Sequence, residues 1–190
     1  MLRSGYEKEA LVLILSAGIF AINTAQADTN SLTAGYSQGK MNAGGNIRGV
    51  NVKYHYQGDF PVGIITSLTY MYDNDRSSGT DEDTGEIYHD KSNVKYGSLM
   101  VGPTYQVTDS FSLYALVGAA MLKARDKENG TWEDGSPYTV STSANEKALA
   151  WGAGVQMNPT KNFVIDVGYE GSRELLTQIN GFNIGVGYRF

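Results

Sequence analysis

The stretch GFNIGVGYRF, Gly181 to Phe190, alternates without a break. Phe182, Ile184, Val186, Tyr188 and Phe190 fall on one side of an extended chain, with Gly181, Asn183, Gly185, Gly187 and Arg189 on the other. Successive side chains of a strand point to opposite faces, so a period of two is a strand signature. Chain ends fray in water unless something holds them. A strand that stays half apolar up to its final residue therefore needs a partner strand and a solvent that suits its oily face.

The same device recurs through the chain after Asp28, giving eight strands of about ten residues each. In GVNVKYHY, Gly49 to Tyr56, Val50, Val52, Tyr54 and Tyr56 oppose Asn51, Lys53 and His55. In NFVIDVGYE, Asn162 to Glu170, Phe163, Ile165, Val167 and Tyr169 oppose Val164, Asp166, Gly168 and Glu170. Less regular versions lie at Asn30 to Gln38, Val62 to Tyr72, Lys95 to Val107, Phe111 to Met121 and Lys147 to Met157. Their oily faces still read, for example Leu99, Val101, Pro103 and Tyr105, or Leu149, Trp151, Ala153 and Val155.

An apolar face points into the core of a soluble sandwich but outward to lipid in a membrane barrel. The links decide between them. Short links, Gln57 to Pro61, Thr108 to Ser110 and Asn158 to Lys161, alternate with longer ones at Lys40 to Asn46, Asp73 to Asn93, Lys123 to Glu146 and Gly171 to Gly181. This alternation predicts an all-β, eight-stranded antiparallel up-and-down transmembrane β-barrel, with both termini on the short-turn side. The polar face would then line the interior and place Lys53, His55, Glu146, Gln156, Asp166, Glu170 and Arg189 there, with both charge signs available for pairing. A barrel of eight strands has an interior that side chains can fill, so a packed polar plug without an open pore is expected. In a closed barrel the last strand pairs with the first, which leaves no backbone edge in lipid.

Composition fits this reading. Glycine (23 residues) and tyrosine (13) are abundant and charged residues are sparse at 18%, a balance that favours β architecture. The absence of cysteine excludes a disulfide scaffold, thiolate zinc sites and a cysteine nucleophile. Residues 1–27 read as a signal peptide: the apolar run Ala10 to Ile22 is followed by Ala25-Gln26-Ala27, a small-x-small cleavage pattern. Its 13 residues would span only about 20 Å as a helix, short of a hydrocarbon core of about 30 Å. The mature barrel, residues 28–190, keeps 13 basic and 18 acidic residues, a net charge of 13 − 18 = −5 with no basic stripe, so nucleic acid is not an expected partner.

Several stretches together resemble the OmpX/Ail/PagC/Lom family of small enterobacterial outer-membrane proteins. They include Ala34-Gly35-Tyr36, Asn51-Val52-Lys53-Tyr54, Gly102-Pro103-Thr104-Tyr105, Trp151-Gly152-Ala153-Gly154-Val155-Gln156, Asn158-Pro159, Tyr169-Glu170 with Ser172-Arg173, and Gly185 to Phe190. The resemblance implies an eight-stranded barrel in the outer membrane whose external loops, in some members, mediate adhesion, invasion or resistance to complement. Its partners would be outer-membrane lipid and lipopolysaccharide, and a host extracellular-matrix or complement-regulatory protein; a structural or envelope-stress barrel without a host ligand is the first alternative, and a lipid-modifying barrel enzyme the second. Tyr188 and Phe190 also resemble the terminal signal by which the barrel-assembly machinery recognises its clients. A monomer is expected.

Candidate chemistry is thin. Asp81, Asp83 and Glu86 offer hard oxygen ligands, but Gly85 falls where a fifth-position ligand would be needed, so a solvated acidic loop is the simpler reading. Asp83-Thr84-Gly85 copies one protease triplet without the second carboxylate. Two histidines, neither inside a nucleophile motif, give no catalytic constellation, and no enzyme activity, metal or cofactor is expected. A buried His55 would pair with Asp166 or Glu170 in a structural role. The partner-binding candidates are external: Tyr88, Lys123, Arg125, Lys127, Trp132 and Tyr138. Trp and Tyr supply contact area at low entropic cost, although Trp132 would equally suit packing on neighbouring loops or lipid headgroups.

Overall fold

A computed structural model describes residues 29–42, 45–80, 87–131, 136–173 and 178–190. The expected signal peptide, the acids Asp81, Asp83 and Glu86, and Trp132 lie outside the described residues. The eight strands are β1 (Thr29–Met41), β2 (Asn46–Gln57), β3 (Val62–Thr80), β4 (Ile87–Thr108), β5 (Phe111–Thr131), β6 (Pro137–Met157), β7 (Phe163–Arg173) and β8 (Gln178–Arg189). Each pairs antiparallel with its neighbour in sequence, and β1 pairs with β8 to close the barrel. At the seam the register runs from Ser31↔Arg189 to Met41↔Ile179. Beyond it, Asn30 and Phe190 exchange both backbone hydrogen bonds, at 2.9 and 2.8 Å. The terminal strand is held to its last residue because its final backbone groups complete a ladder.

Alternation sorts the side chains. On β6, Trp151 is 46% exposed while the adjacent Ala150 is wholly buried. Tyr36, Tyr70, Tyr72, Trp151, Tyr169 and Phe182 stand outward towards the extracellular end, and Tyr56, Phe60, Tyr105, Phe163, Tyr188 and Phe190 towards the short turns. Two aromatic girdles flanking an apolar band are what a lipid bilayer selects on a barrel wall. Trp151 and Tyr169 pack at 5.9 Å between ring centroids, and Tyr188 stacks on Phe190 at 6.5 Å.

Two expectations are corrected. The segments read as long loops, Asp73 to Asn93 and Lys123 to Glu146, are mostly strand: β3 and β4 stay paired up to Thr80↔Ile87, and β5 and β6 up to Thr131↔Pro137. Both faces of these extensions are polar, so apolar periodicity could not signal them; backbone pairing holds them instead. The lumen is also not polar throughout. Its extracellular end carries an apolar cap of Met41, Ile47, Met71, Leu122 and Ile179, continuous with Met100, Leu116 and Ala150 below. Inward positions near the mouth escape water by packing on one another across the barrel.

Candidate functional site

Below the cap, the lumen is a hydrogen-bonded network. Lys53 Nζ lies 2.5 Å from Asp166 Oδ1 and donates to Asn183 Oδ1, also at 2.5 Å, with both members of the ion pair buried. Tyr114 donates to Asp166 Oδ1 at 3.2 Å and sets its ring 5.5 Å from the Lys53 ammonium. Gln156 Nε2 donates to Asp166 Oδ2 at 3.1 Å. His55 does not pair with Asp166 or Glu170. Its Nδ1 meets Gln156 Oε1 and its Nε2 meets Thr104 Oγ1, each at 2.9 Å, so the imidazole reaches Asp166 only through Gln156. Among the described residues Glu170 has no salt-bridge partner; it accepts from Ser98 (2.6 Å), Thr69 (2.7 Å) and Tyr96 (2.8 Å).

The other two charges expected inside sit at opposite ends. Arg189 reaches the Asp109 carbonyl at 3.5 Å beside the periplasmic turns, and Glu146 faces inward opposite Leu122 near the extracellular rim. Tyr96, Tyr114, Thr69, Thr104 and Asn183 escaped the sequence reading, although strand parity puts each on a polar face. A cavity of about 10 Å³ between Ser31, His55, Ser112 and Arg189 has about the room of one water, so the described lumen holds side chains rather than a solute path.

Glycine makes room for this network at two places. A Cβ on Gly154 or Gly168 would collide with the Tyr114 hydroxyl. Gly168→Ala is therefore expected to cost about 1–3 kcal/mol by overpacking, read as a lower urea midpoint for the refolded barrel. Tyr114→Phe in the same chain should recover part of that loss.

The second feature is outside the lipid. β2 and β3 stay paired only up to Arg48↔Tyr72, and β6 and β7 only up to Leu149↔Arg173. Above those rungs β3, β4, β5 and β6 continue as a four-stranded sheet, and among the described residues neither outer edge has a strand partner. The edges differ. β3 brings Asp73 and Asp75 to its edge, whereas β6 from Pro137 to Asn145 (PYTVSTSAN) carries no charge at all. Natural edges are usually blunted with charge because an unpaired strand recruits another; the β6 edge has no such protection.

The faces of this sheet are segregated by charge. Lys91, Lys95, Lys123, Arg125, Lys127 and Lys147 alternate onto the outer face, which continues the lipid-facing wall, and all are exposed. Asp73, Asp75, Asp126, Glu128 and Glu146 alternate onto the inner face above the barrel mouth. Lys95 is directly opposite Lys123, and Lys91 opposite Lys127. Like charges opposite one another destabilise a ladder, so an anionic ligand would relieve the repulsion. The sequence candidates thus separate: Lys123 stands just above the girdle, Arg125 and Lys127 higher on the same face, and Tyr138 on the inner face. Tyr138 donates to Glu128 at 2.8 Å and covers Gly130. For Tyr88 the backbone register is defined, opposite Gly79 and Gly130.

An eight-stranded closed wall, oily outside and polar within, capped by an extracellular sheet, defines a small outer-membrane barrel. The chain matches the family described as Enterobacterial Ail/Lom protein over residues 7–190, and it belongs to that family. It is 54% identical over 178 residues to the virulence membrane protein PagC of Salmonella typhimurium, covering 94% of this chain and 96% of PagC. It is 33% identical to the attachment invasion locus protein of Yersinia enterocolitica, covering 94% and 95%. The crystal structure of Ail from Yersinia pestis in complex with the heparin analogue sucrose octasulfate superposes with a TM-score of 0.69 at 31% identity, covering 87% of this chain and all of Ail. The protein is an integral outer-membrane β-barrel.

Proposed function

We propose that the protein acts in adhesion, invasion or serum resistance, with the extracellular sheet as its working surface and no catalytic role. The uncharged open edge of β6 carries this reading. An extended segment of a host extracellular-matrix or complement-regulatory protein would add to it as a further strand, with main-chain hydrogen bonds supplying affinity and alternate side chains supplying specificity. Trimming β3–β4 above the Asp75↔Ser92 rung and β5–β6 above Ala124↔Ala144 leaves every rung of the closed barrel in place. The trimmed protein is expected to fold and to lose binding to host cells and complement regulators; unchanged binding would favour a structural or envelope-stress barrel instead.

The opposed lysines of the outer face support a second contact, with a polyanion. Binding of a heparin analogue by a relative points to sulfated glycans as one such ligand. Lipopolysaccharide phosphates, at the level of Lys95, Lys123 and Lys147, are another. Contacts of this kind weaken steeply with salt, whereas strand addition does not. The same reading includes cleavage after Ala27, recognition of Tyr188 and Phe190 by the barrel-assembly machinery, and a monomeric state. Intact-mass measurement of the purified outer-membrane form is expected to place its amino terminus at Asp28.

A further inference from the structure

The corner where β3 leaves the barrel wall, across the sheet from β6, encloses an open cleft of about 720 Å³. Ligand sites for small molecules fall in the range of about 300–1,000 Å³. Its floor is Arg48, Gly49 and Val50 on β2; Tyr36 and Tyr72 flank it; Asn46, Asn74, Asp73 and Asp75 rim it. The ladders explain why it exists. β1–β2 pairing ends at Lys40↔Asn46 and β2–β3 pairing at Arg48↔Tyr72, so from Asp73 upward β3 keeps β4 but has no β2 neighbour. Gly45, just before β2, also lines the cleft in the left-handed region at φ 95°, where a Cβ would stand 4.0 Å from the Asp73 carboxylate.

We infer that this cleft is a binding site for an uncharged or amino-sugar pyranose ring. The two tyrosines are 44% and 59% exposed, so each leaves much of its ring free. Tyr36 is steadied by its hydroxyl, which donates to Gln38 Oε1 at 2.9 Å. The electron-rich face of an aromatic ring attracts the electropositive C–H face of a sugar. Each sugar hydroxyl is both donor and acceptor. Because β2 ends beside Tyr72, residues from both faces of β3 border the cleft: the carboxylates of Asp73 and Asp75 accept, the Arg48 guanidinium donates, and the amides of Asn46 and Asn74 do both. The lining carries one cation, Arg48, and two carboxylates, Asp73 and Asp75, while Lys40, opposite Asn46, and Lys95, opposite Tyr72, stand beside it. The two carboxylates within the lining disfavour a sulfate or phosphate in the cleft. Its mouth opens sideways at the girdle, within reach of sugars on the cell's own glycolipids and of neutral host glycans alike.

The test is an NMR titration of the full mature protein in phospholipid nanodiscs free of lipopolysaccharide. The probes are methyl β-glucopyranoside, a dephosphorylated core oligosaccharide from rough lipopolysaccharide, and a neutral host-type tetrasaccharide. Saturable shifts are expected at the Asn46 and Asn74 amides and at the Tyr36 and Tyr72 rings. Tyr36→Ala or Tyr72→Ala should weaken binding about tenfold, and Asp75→Asn similarly, as for loss of a charge-assisted hydrogen bond. Tyr36→Phe, which keeps the ring, should bind nearly as the parent does and guards against misfolding as the explanation. Tighter binding of the core oligosaccharide would identify the bacterial surface as the source, and tighter binding of the tetrasaccharide the host; either upholds the site. No saturable shift with any of the three sugars, or shifts unaltered in the Tyr36→Ala/Tyr72→Ala double variant, overturns it. Changes at the β6 edge should leave these shifts untouched, so this site and the proposed partner edge fail or stand separately.

Discussion

Asp166→Leu is expected to lower the unfolding free energy of the refolded barrel by about 3–5 kcal/mol, the cost of leaving a buried ammonium without its counter-ion. Among the described residues Lys53 would keep Asn183 alone as a hydrogen-bond partner, and Tyr114 and Gln156 would each lose the carboxylate to which they donate. Lys53→Met should cost a similar amount by stranding the carboxylate. The double variant is the informative one: a well-filled apolar pair is often no worse than a buried ion pair, so its loss should be well below the sum of the two single losses. Urea unfolding in a lipid or detergent of fixed composition measures all three. Strictly additive losses would show that the two charges do not stabilise each other.

Val140→Lys with Thr142→Lys is expected to reduce binding of a protein partner at least about tenfold while the barrel stays folded. Val140 lies opposite Glu128 and Thr142 opposite Asp126, so the new ammonium groups gain carboxylates across the ladder and should not disrupt the sheet. They charge the open edge, which is how natural edges refuse another strand. Binding of a sulfated glycan to the outer face should change little, because both substitutions fall on the inner face. Surface plasmon resonance with the two ligand types separates the outcomes. A partner that binds the double-lysine protein as well as the parent would show that β6 is not where it docks.

The wall of the barrel was legible in the sequence because lipid imposes one rule on it: an outward apolar residue at every second position. Phe182 to Phe190 and Val50 to Tyr56 follow that rule closely, and their faces in the structure are those the alternation gives. Beyond the girdle the rule lapses. PYTVSTSAN on β6 is polar on both faces and extended for reasons of backbone pairing, so it read as loop. The inside was legible in part. Lys53, His55, Gln156, Asp166 and Glu170 do face the lumen, but who meets whom depends on reach across the barrel, which period-two patterning does not encode; His55 turned to Gln156 and Thr104. The cleft at Tyr36 and Tyr72 had no linear signature, because it arises where one ladder stops before its neighbour.

The rungs that join Asn30 to Phe190 and Ser31 to Arg189 tie the start of β1 to the end of β8. Until β8 is in place, β1 lacks one of its two neighbours, and the wall stays open along a seam whose amide groups lipid cannot satisfy. Closure therefore waits on the strand that comes last of the eight in chain order, whatever the other seven have already formed. Removing even the final aromatic residue should slow insertion more than it weakens the finished protein.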